Sequence, residues 1–591
     1  MKRQLTKQEV FSSRHTASKK NIFVGVAWPY VNGELHIGHL AGYLLPADIY
    51  AKYNRSIGNN VLMVSGSDCF GTPITVEADK QATLPKEIAN LYHKRNVFLF
   101  KEILGLSFDI YTRTDTDHHI KITQEFFLNF LEKGYIFSSK TKQYFSDKEN
   151  KFLPDRYIEG RCGKCDSLNA RGDQCDNCGK LFEVGELINP RSKLNGFKVS
   201  LRDTEHYFID WAKLQPQIEK YVKGNGHKWK KWVYQETLGW LNKGLKPRAV
   251  TRDIDWGVPL PIEKITKNKL IENIENKRLY VWFDAVIGYL SASMLWSKEE
   301  QNGEKWKEFW YNPDSEHIYF MGKDNLIFHT IFWPAQLMVK DVNLHLPDVQ
   351  SVNMFLNLDG VQFSKSKGIT LRIEDIVNHY GNDPVRFYLT AIMPEVSDSS
   401  FEWSDFARKN NTFLVGNLGN FINRVLSIGY ETDVNSINHT KLFKETKDQI
   451  SAAFTQSRKY IERCEFRSYL LTLLELASYG NKAFDYAKIW VLKKEDINKF
   501  YSEIGQHYAL ILALSYIMSP LLPGTSKKIT DTFGINEFVK WPKVGKEVEE
   551  IQSLLKHINN KVKPKPLFNK INLADDYNIA SNNNNDFIKK K

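Results

Sequence analysis

The feature that most constrains the fold is an alternation of short apolar segments with helical patterns near the start of the chain. The run from Ile22 to Ala27 is apolar and β-branched, and a helical pattern follows from about Leu35 to Tyr53. A second apolar run, Val61 to Ser65, precedes helical segments at 76–103 and 118–133. Strands that alternate with helices form parallel sheets, so the sequence predicts a Rossmann-type doubly wound α/β sheet.

An insertion divides this predicted sheet. Residues 134–250 scatter Gly, Cys, Lys and Trp without a long α/β period. Strand-like runs then return at Leu279 to Phe283, Ile318 to Met321 and Ser351 to Leu356, with a helical run near Leu326 to Met338. Two halves of one sheet, separated by the insertion, give the simplest interpretation.

The last part of the chain is predicted to be an all-α helical bundle. From about Asp405 to Ser519, apolar residues recur at spacings of three and four. Residues 559–591 lack the apolar content to fold alone. The predicted divisions are a basic N-terminal tail (1–20), the first half of the catalytic domain (21–138), a connective insertion with a zinc knuckle (139–260), the second half (261–350), a linker that contacts the tRNA stem (351–405), a helical domain (406–545) and a basic C-terminal tail (546–591).

Composition and charge narrow the class of protein. The chain is 42% hydrophobic and 13% aromatic, which excludes a disordered or fibrous protein. Its net charge of +12 lies mostly in the two tails: residues 1–20 hold six basic residues and one acidic residue, and residues 556–591 hold eight lysines and three aspartates. The tails are therefore expected to add a salt-dependent part to any affinity for nucleic acid.

The sequence predicts a soluble protein of a reducing compartment. The longest apolar stretch, Tyr508 to Met518, is shorter than the ~20 residues that span a bilayer. Residues 1–20 contain no apolar segment of a secretory signal, and we expect a cytoplasmic location. The same basic stretch leaves open a cleaved organellar transit peptide.

Four of the six cysteines form two Cys-x-x-Cys pairs separated by nine residues. Four thiolates at this spacing can close one tetrahedral zinc site without an open position for water, so we predict a single structural Zn²⁺. A redox role for one pair is the alternative. Cys69 and Cys464 have no partner pattern. The predicted ligands are Cys162, Cys165, Cys175 and Cys178.

The tetrapeptide His36-Ile37-Gly38-His39 lies where the first strand turns into the first helix. In a doubly wound sheet, ligands bind beyond the carboxyl ends of the strands, and a helix N-terminus there offers N–H groups to phosphate. Two imidazoles add donors, and Gly38 lets a nucleotide approach the backbone. The alternative is a pair of surface histidines, which the position after a strand disfavours.

A second polar segment, Phe363-Ser364-Lys365-Ser366-Lys367-Gly368, follows the last predicted α/β strand. A loop of Ser, Lys and Gly can close over a triphosphate, and Lys365 can neutralise the charge that develops as pyrophosphate leaves. A solvated basic turn is the alternative for this segment alone. Together, the two motifs favour a nucleotide site.

These two motifs resemble the signatures of class I aminoacyl-tRNA synthetases, a His-x-Gly-His tetrapeptide and a late Lys-Met-Ser-Lys-Ser loop. Gln362 and Phe363 replace the first lysine and the methionine of that loop, whereas Lys365 matches its second lysine. Over about 21–545, the chain resembles the methionyl-tRNA synthetases. The segments that carry this resemblance are Ala27-Trp28-Pro29-Tyr30, Asp68 with Gly71-Thr72-Pro73, Phe152-Leu153-Pro154-Asp155-Arg156, Tyr280-Val281-Trp282-Phe283-Asp284-Ala285, and Gly322-Lys323-Asp324 with Phe328-His329.

The resemblance implies a set of site residues. His36, His39 and Lys365 would be catalytic. The implied ATP site comprises His36, Gly38, His39, Gly322, Asp324, Ser364, Lys365 and Ser366. Methionine would be bound by Ala27, Trp28, Tyr30, Asp68, Trp282, Ala285, Tyr289 and His329, with Asp68 on its ammonium group. Sulfur–aromatic contacts contribute only ~0.3–1.5 kcal/mol, so shape and desolvation should set the selectivity and homocysteine should enter.

The resemblance also extends to the insertion and the helical domain. Thr251 to Pro259 is similar to the segment that re-enters the catalytic domain in this subclass, and the family carries a zinc knuckle in its insertion. Asn420, Arg424 and Trp490 match positions that the family uses to read the CAU anticodon. Solvated helix-surface residues are the alternative for Asn420 and Arg424.

The implied enzyme activates methionine with ATP to an adenylate and transfers the acyl group to the 3′ end of tRNA(Met), releasing AMP and pyrophosphate. Its partners would be methionine, ATP with Mg²⁺, and tRNA(Met), without a membrane. A monomer is expected, because the short tail leaves no room for a further tRNA-binding module. The open alternatives are a synthetase for another amino acid and a non-catalytic RNA-binding relative.

Overall fold

The computed structural model describes residues 19–172, 175, 177–178, 182, 184–300, 302–359, 371–430, 432–535, 540–559 and 562–572, together with the backbone of Val361–Gln362. The predicted Ser-Lys-Ser loop therefore lies outside the described residues, and with it the predicted roles of Ser364, Lys365 and Ser366. Most of both basic tails also lies outside them.

The first half of the sheet contains three strands, each followed by helix. Strand β1 is Asn21–Val26, and all of its residues after Asn21 are buried; β2 is Asn60–Ser67 and β3 is Ile110–Arg113. The sequence pattern did not indicate β3, because only four residues form it and three of them are half-buried. The helices are α1 (Ile37–His39), α2 (Leu45–Ser56), α3 (Thr72–Lys80), α4 (Pro85–Phe98) and α5 (Asp117–Glu132), with π-helical turns at Leu40–Leu44 and Leu99–Ile103.

The region from Ile136 to Leu279, which contains the insertion, forms small antiparallel sheets and two helices. Its strands are β4 (Ile136–Ser146), β5 (Lys151–Phe152), β6 (Ile158–Arg161), β7 (Ala170–Arg171), β8 (Ile188–Ser192), β9 (Ser200–Ile209), β10 (Arg248–Ala249), β11 (Thr251–Asp253) and β12 (Lys277–Leu279). They pair in the orders β10-β9-β4-β5, β7-β6-β8 and β11-β12. The helices are α6 (Trp211–Asn225) and α7 (Lys231–Asn242).

The second half completes the central sheet. Its elements are α8 (Val281–Asp284), α9 (Gly288–Glu299), α10 (Lys307–Trp310), β13 (Glu316–Gly322), a π-helical turn at Phe328–Phe332, α11 (Trp333–Lys340) and β14 (Val349–Asn353). The sheet has the order β14-β13-β1-β2-β3 and is parallel throughout. Val24 pairs with Ile318 on one side and Met63 on the other. The predicted doubly wound parallel sheet is confirmed.

The predicted strand at Leu279 to Phe283 is wrong. Leu279 ends the short strand β12 outside the central sheet, and Val281–Asp284 is the helix α8. Aromatic and β-branched residues gave this segment the composition of a strand. Ring contacts outside the segment favour the helix instead. Trp282 stacks on Phe328 with centroids 4.1 Å apart, and Phe283 makes an edge contact with Phe130 at 5.8 Å between centroids.

A linker and a helical bundle follow the sheet. The predicted strand at Ser351 to Leu356 is divided, because β14 ends at Asn353 and β15 (Leu356–Leu358) pairs in another sheet with β16 (Val361–Gln362) and β17 (Ser399–Phe401). The linker helices are α12 (Ile373–Tyr380) and α13 (Asn382–Ala391). The bundle contains α14 (Trp403–Lys409), a π-helical stretch at Asn410–Gly419, α15 (Asn420–Gly429), α16 (Val434–Asn438), α17 (Lys444–Glu462), α18 (Phe466–Ala487), α19 (Ile489–Glu495), α20 (Ile497–Met518), α21 (Pro523–Thr532) and α22 (Glu547–Leu555).

A buried arginine joins these parts. Arg386 of α13 pairs with Asp48 of α2 at 2.8 Å, and its Nε and Nη2 donate to the carbonyls of Leu521 and Pro520 at 2.7 and 2.8 Å. Burial opposes the charge of Asp48, but Lys52 and Arg386 lower its pKa to about 2. Because an unpaired charge here would be buried, this ion pair fixes the bundle against the sheet.

Part of the predicted C-terminal tail packs on the bundle. Helix α22 buries Ile551 and Leu555, and Phe568 and Ile571 are also buried. Asn411 holds the backbone of Ile571 at both ends of its side-chain amide: Nδ2 donates to the Ile571 carbonyl and Oδ1 accepts the Ile571 N–H, at 2.8 Å each. Among the described residues, none of the helices combines the length and apolar character that crossing a membrane requires.

Candidate functional site

The His36–His39 turn forms a reciprocal cap at the N-terminus of α1. His36 Nδ1 accepts from the Gly38 N–H at 3.2 Å, and the His36 N–H donates to His39 Nδ1 at 3.2 Å. Each Nδ1 is thus an acceptor, so a neutral ring carries its proton on Nε2 and presents that nitrogen as a donor. The ring centroids are 3.9 Å apart. The turn therefore places two imidazole donors beside a helix N-terminus, an arrangement that suits phosphate.

This turn is bonded to the residues that follow the Ser-Lys-Ser segment. The Ile37 N–H donates to the Leu371 carbonyl at 3.1 Å, and His36 and Arg372 form a β-bridge. Leu371 is the first described residue after that segment and is buried. The structure therefore places Leu371 and Arg372 against the early histidine turn, although they are far from it in sequence.

The carboxyl ends of β1 and β2 meet beside the turn. Tyr30 and Asp68 form a β-bridge, and the Asp68 N–H donates to the Pro29 carbonyl at 2.9 Å. Ala27, at the end of β1, is buried and donates its N–H to Phe320 of β13 at 2.9 Å. The structure thus brings Ala27, Tyr30 and Asp68 to one edge of the sheet, as the sequence predicted for ligand-binding residues.

Several aromatic rings lie near Asp68, beginning with its bridge partner Tyr30. Tyr30 makes an edge contact with Trp282 at 6.1 Å between centroids, and Trp282 stacks on Phe328. Tyr289 makes an edge contact with Trp28 at 6.4 Å. Ala285, at the end of α8, is 7% exposed. These contacts form two groups, Tyr30–Trp282–Phe328 and Trp28–Tyr289, and each group contains predicted methionine-binding residues.

A hydrogen-bonded pair fixes the protonation of His329. Its Nδ1 donates to the Asn325 carbonyl at 2.9 Å, so Nε2 accepts from the Tyr289 hydroxyl at 2.8 Å. Burial lowers the pKa of His329 to about 4 and raises the pKa of Tyr289 well above its usual range. Both groups are neutral at physiological pH, so this buried pair is polar but uncharged.

Two buried carboxyl groups lie at the base of this region. Burial, and then repulsion from Asp284, raises the pKa of Asp68 well above its usual range. Burial also raises the pKa of Asp284, which lies 3.8 Å from the Nε2 atom of His119. An ammonium group beside Asp68 would favour its charged form, since an opposite charge lowers the pKa of a carboxyl group.

Two glycines make room for the indole of Trp28. A Cβ atom at Gly66 would lie 2.2 Å from Trp28 Cζ3, and one at Gly288 would lie 2.6 Å from Trp28 Cζ2. The His119 ring stacks on the indole with centroids 6.4 Å apart. Sequence reasoning missed Gly66, Gly288 and His119, because nothing local marks a residue that supports a distant ring. Phe328 was missed as a pocket residue, although it directly precedes the predicted His329.

Gly322 and Asp324 lie at the carboxyl end of β13, next to β1 in the sheet. Asp324 is exposed, and its Oδ1 would lie 2.9 Å from a Cβ atom at Gly322. The intervening Lys323 points to Asp398, with Nζ 2.9 Å from Oδ1. These residues therefore share the edge of the sheet that carries the histidine turn.

The four predicted zinc ligands come together in the insertion. Their Sγ atoms all lie within 4.8 Å of one another; Cys162 and Cys178 are 3.7 Å apart, and Cys165 and Cys175 are 3.6 Å apart. A tetrahedral site with Zn–S bonds of ~2.3 Å separates its sulfur atoms by about 3.8 Å. The Asn177 amide donates to Cys165 and helps lower the pKa of that thiol to about 6. The cluster fits a Cys₄ metal site.

The three predicted anticodon residues lie on one surface of the helical bundle. Asn420 Nδ2 donates to Asn481 at 3.1 Å, and one turn further along α15 Arg424 pairs with Asp485 at 2.5 Å. The Arg424 guanidinium lies 5.9 Å from the centroid of the Trp490 ring, which is 44% exposed. One surface formed by α15, α18 and α19 thus carries an amide, a guanidinium and an exposed indole.

A parallel nucleotide-binding sheet with a His-x-Gly-His turn, followed by a helical bundle, defines a class I aminoacyl-tRNA synthetase. The family model described as "tRNA synthetases class I (M)" matches residues 22–426, and "Anticodon binding domain of methionyl tRNA ligase" matches residues 435–583. The chain therefore belongs to the methionyl-tRNA synthetase family.

Relatives and solved structures agree with this assignment. The chain is 39% identical to the methionine–tRNA ligase of Thermobifida fusca over 537 residues, covering 88% of this chain and 87% of the relative. It is 40% identical to that of Dehalococcoides mccartyi over 557 residues, covering 92% and 98%. The methionyl-tRNA synthetase of Mycobacterium tuberculosis, solved with methionyl-adenylate, shares the fold with a TM-score of 0.73 and 20% identity over 93% of this chain and 99% of that chain.

Proposed function

We propose that this protein is a methionine–tRNA ligase that activates methionine with ATP and transfers it to tRNA(Met). The observation that carries the proposal is the bond between Ile37 and Leu371, which joins the histidine turn to the first described residue after the Ser-Lys-Ser segment. Family membership across residues 22–426 and 435–583 supports both steps.

In the first step, an oxygen of the methionine carboxylate attacks the α-phosphorus of ATP, and the bond to the β-phosphate breaks. His36 and His39 donate from Nε2 to phosphate oxygens, and Lys365 neutralises charge on the departing pyrophosphate. Gly38, Gly322, Asp324, Ser364 and Ser366 complete the ATP site, and Mg²⁺ arrives with ATP. Catalysis here depends on positioning and charge, because no side chain needs to act as a nucleophile.

The aromatic pocket holds the methionine side chain. Tyr30, Trp282 and Ala285 line the thioether, while the neutral Tyr289–His329 pair forms the polar wall. Trp28 and Ala27 close the pocket near the sheet. The ammonium group binds Asp68 and replaces the proton that burial favours on that carboxyl group. Desolvation of a linear side chain, more than any single contact, selects methionine over polar amino acids.

In the second step, a terminal ribose hydroxyl of tRNA(Met) attacks the carbonyl carbon of the adenylate and AMP leaves. Asn420, Arg424 and Trp490 bind unstacked anticodon bases by hydrogen bonds and stacking, which contributes ~1–3 kcal/mol per base. The four cysteines bind one structural Zn²⁺, which stabilises the insertion and leaves no open position for catalysis. We assign the divisions named above to these roles, and we propose a cytoplasmic monomer.

ATP–pyrophosphate exchange with single amino acids tests the proposal. Exchange is expected with methionine and, more weakly, with homocysteine. Isoleucine, leucine, valine and cysteine serve as matched controls, because each is the substrate of a related synthetase. Exchange that prefers one of these, or no exchange with any amino acid, would overturn the proposal; the latter result would favour a non-catalytic RNA-binding relative.

A further inference from the structure

The most exposed large ring among the described residues lies next to the anticodon surface. Tyr486, on the last turn of α18, is 93% exposed. Within the described part of the chain, no hydrogen bond or ring contact holds its side chain. Some exposed rings elsewhere have such contacts: the Tyr311 hydroxyl donates to Asp341 at 3.1 Å, and Phe137 stacks on Phe208 with centroids 5.8 Å apart.

The residues around Tyr486 place it on the surface that carries Arg424 and Trp490. The preceding residue, Asp485, is the partner of Arg424, and the guanidinium of Arg424 lies 4.4 Å from the Phe484 centroid. Phe484 in turn contacts Trp490 with ring centroids 5.8 Å apart. Four residues span at most about 14 Å, so Tyr486 and Trp490 can contact bases of the same loop.

A break in the helix separates the two exposed rings. Lys488 has left-handed backbone angles, φ 48° and ψ 50°, and it ends α18 and begins α19. Consequently, the two rings lie on successive helices instead of one continuous face. Ile489, just after the break, is fully buried and anchors it. The result is a corner with one ring on each side.

The charges near this corner suit a polynucleotide. Lys482, one turn before Tyr486, is exposed, as are Lys488 and Lys494. Asp485 is paired with Arg424, so its charge is balanced locally. Exposed lysines beside an exposed ring are the pattern by which proteins bind single-stranded nucleic acid: the cations attract phosphates, and the ring stacks a base.

We propose that Tyr486 is a second stacking residue of the anticodon surface and binds an unpaired base of the tRNA anticodon loop other than the one on Trp490. The inference rests on the proposed function, since it needs a tRNA substrate. The ring of Tyr486 supplies the interaction, because every base has a face that an aromatic ring can stack on. The hydroxyl group of Tyr486 is dispensable. Tyr486 thereby adds affinity for the loop without reading a particular base edge.

Aminoacylation kinetics with tRNA(Met) transcripts test this inference. Tyr486→Ala should lower kcat/KM for tRNA about 10-fold through KM, because one stacked base is lost. Tyr486→Phe should retain at least half of the wild-type value. Leu471→Ala is the matched control, since Leu471 is 57% exposed on the same helix and far from the corner; it should be neutral. ATP–pyrophosphate exchange without tRNA should be the same for all variants.

Transcripts with one abasic nucleotide at each unpaired loop position identify the stacked base. On one such transcript, wild type and Tyr486→Ala should have equal kcat/KM. An unchanged KM in Tyr486→Ala, an equal loss in Tyr486→Phe, or a loss that persists on every abasic transcript would overturn the inference. Wild-type protein that fails to charge tRNA at all would instead overturn the proposed function, so the two failures are distinguishable.

Discussion

The Leu371 carbonyl accepts the backbone N–H of Ile37 at 3.1 Å, which joins two parts of the chain that are more than 300 residues apart. Ile37 lies between the two histidines of the turn, and Leu371 follows the Ser-Lys-Ser segment. Because the bond joins backbone atoms, it holds Leu371 at the turn whatever side chains stand at the two positions. It supports the proposal that the histidines and Lys365 act on one triphosphate.

Replacing Lys365 should separate catalysis from binding. In Lys365→Ala, adenylate formation should slow at least 100-fold, because charge on the leaving pyrophosphate is no longer neutralised. Methionine affinity should change less than twofold, since the pocket is formed by other residues. Rapid-quench measurement of adenylate formation and equilibrium binding of methionine check the two values, with Lys365→Arg as the charge-retaining control. Equal losses in both would contradict the assigned role.

Gly288→Ala should damage the methionine pocket through Trp28. The added Cβ atom would lie 2.6 Å from the indole, which must then move away from Tyr289. We expect KM for methionine in pyrophosphate exchange to rise at least 10-fold, with KM for ATP nearly unchanged. Gly239→Ala is the control, because a Cβ atom there meets nothing within 4 Å. A parallel rise in both KM values in Gly288→Ala would contradict the prediction, because the change would then reach the ATP site as well.

The cysteine cluster should hold one zinc ion per chain. Elemental analysis of the purified protein should find one equivalent, and Cys175→Ser should lose it. Structural zinc contributes directly to folding, so the variant should also show a lower melting temperature and faster proteolysis of the insertion. Cys464→Ala, which removes a cysteine outside the cluster, should keep the full metal content. Zinc retained by Cys175→Ser would refute the assignment of this ligand.

The buried His507 should make the bundle sensitive to acid. Burial lowers the pKa of His507 to about 4, whereas the unfolded side chain takes up a proton near pH 6.5. Between these two pH values the unfolded state binds more protons than the folded state. The free energy of unfolding therefore decreases as the pH is lowered, by up to about 1.4 kcal/mol per pH unit for this group. His507→Asn keeps a donor for the Glu503 carbonyl. Its melting temperature should decline less than that of wild type between pH 7 and 5; parallel declines would contradict the prediction.

Local pattern was sufficient for much of the fold. The predicted strand from Ile22 to Ala27 differs from β1 by one residue at each end. It could be predicted because a buried parallel strand is apolar along its whole length. The four cysteines were found because their spacing alone defines a ligand set. Family resemblance, more than periodicity, supplied the predicted methionine-binding residues. The structure places Tyr30 against Trp282 and Tyr289 against His329, and their binding role stays a prediction.

The features that sequence reasoning missed depend on tertiary contacts. Leu279 to Phe283 has the composition of a strand, but the stacking of Trp282 on Phe328 makes most of it a helix. Gly66 and Gly288 support Trp28 from different elements, and no local signal marks a glycine whose role is to leave space for a remote ring. The Asp48–Arg386 ion pair likewise joins residues more than 300 positions apart.

A double-mutant cycle between His39 and Lys365 tests most directly whether the turn and the late segment act on one triphosphate. The rate of adenylate formation would be measured by rapid quench for wild type, His39→Ala, Lys365→Ala and the double variant. Groups that bind the same phosphates are coupled. The loss of activation free energy in the double variant should therefore differ from the sum of the two single losses by at least about 1 kcal/mol. Losses that add within about 0.3 kcal/mol would show that the two residues act independently, and the proposed active site would be wrong.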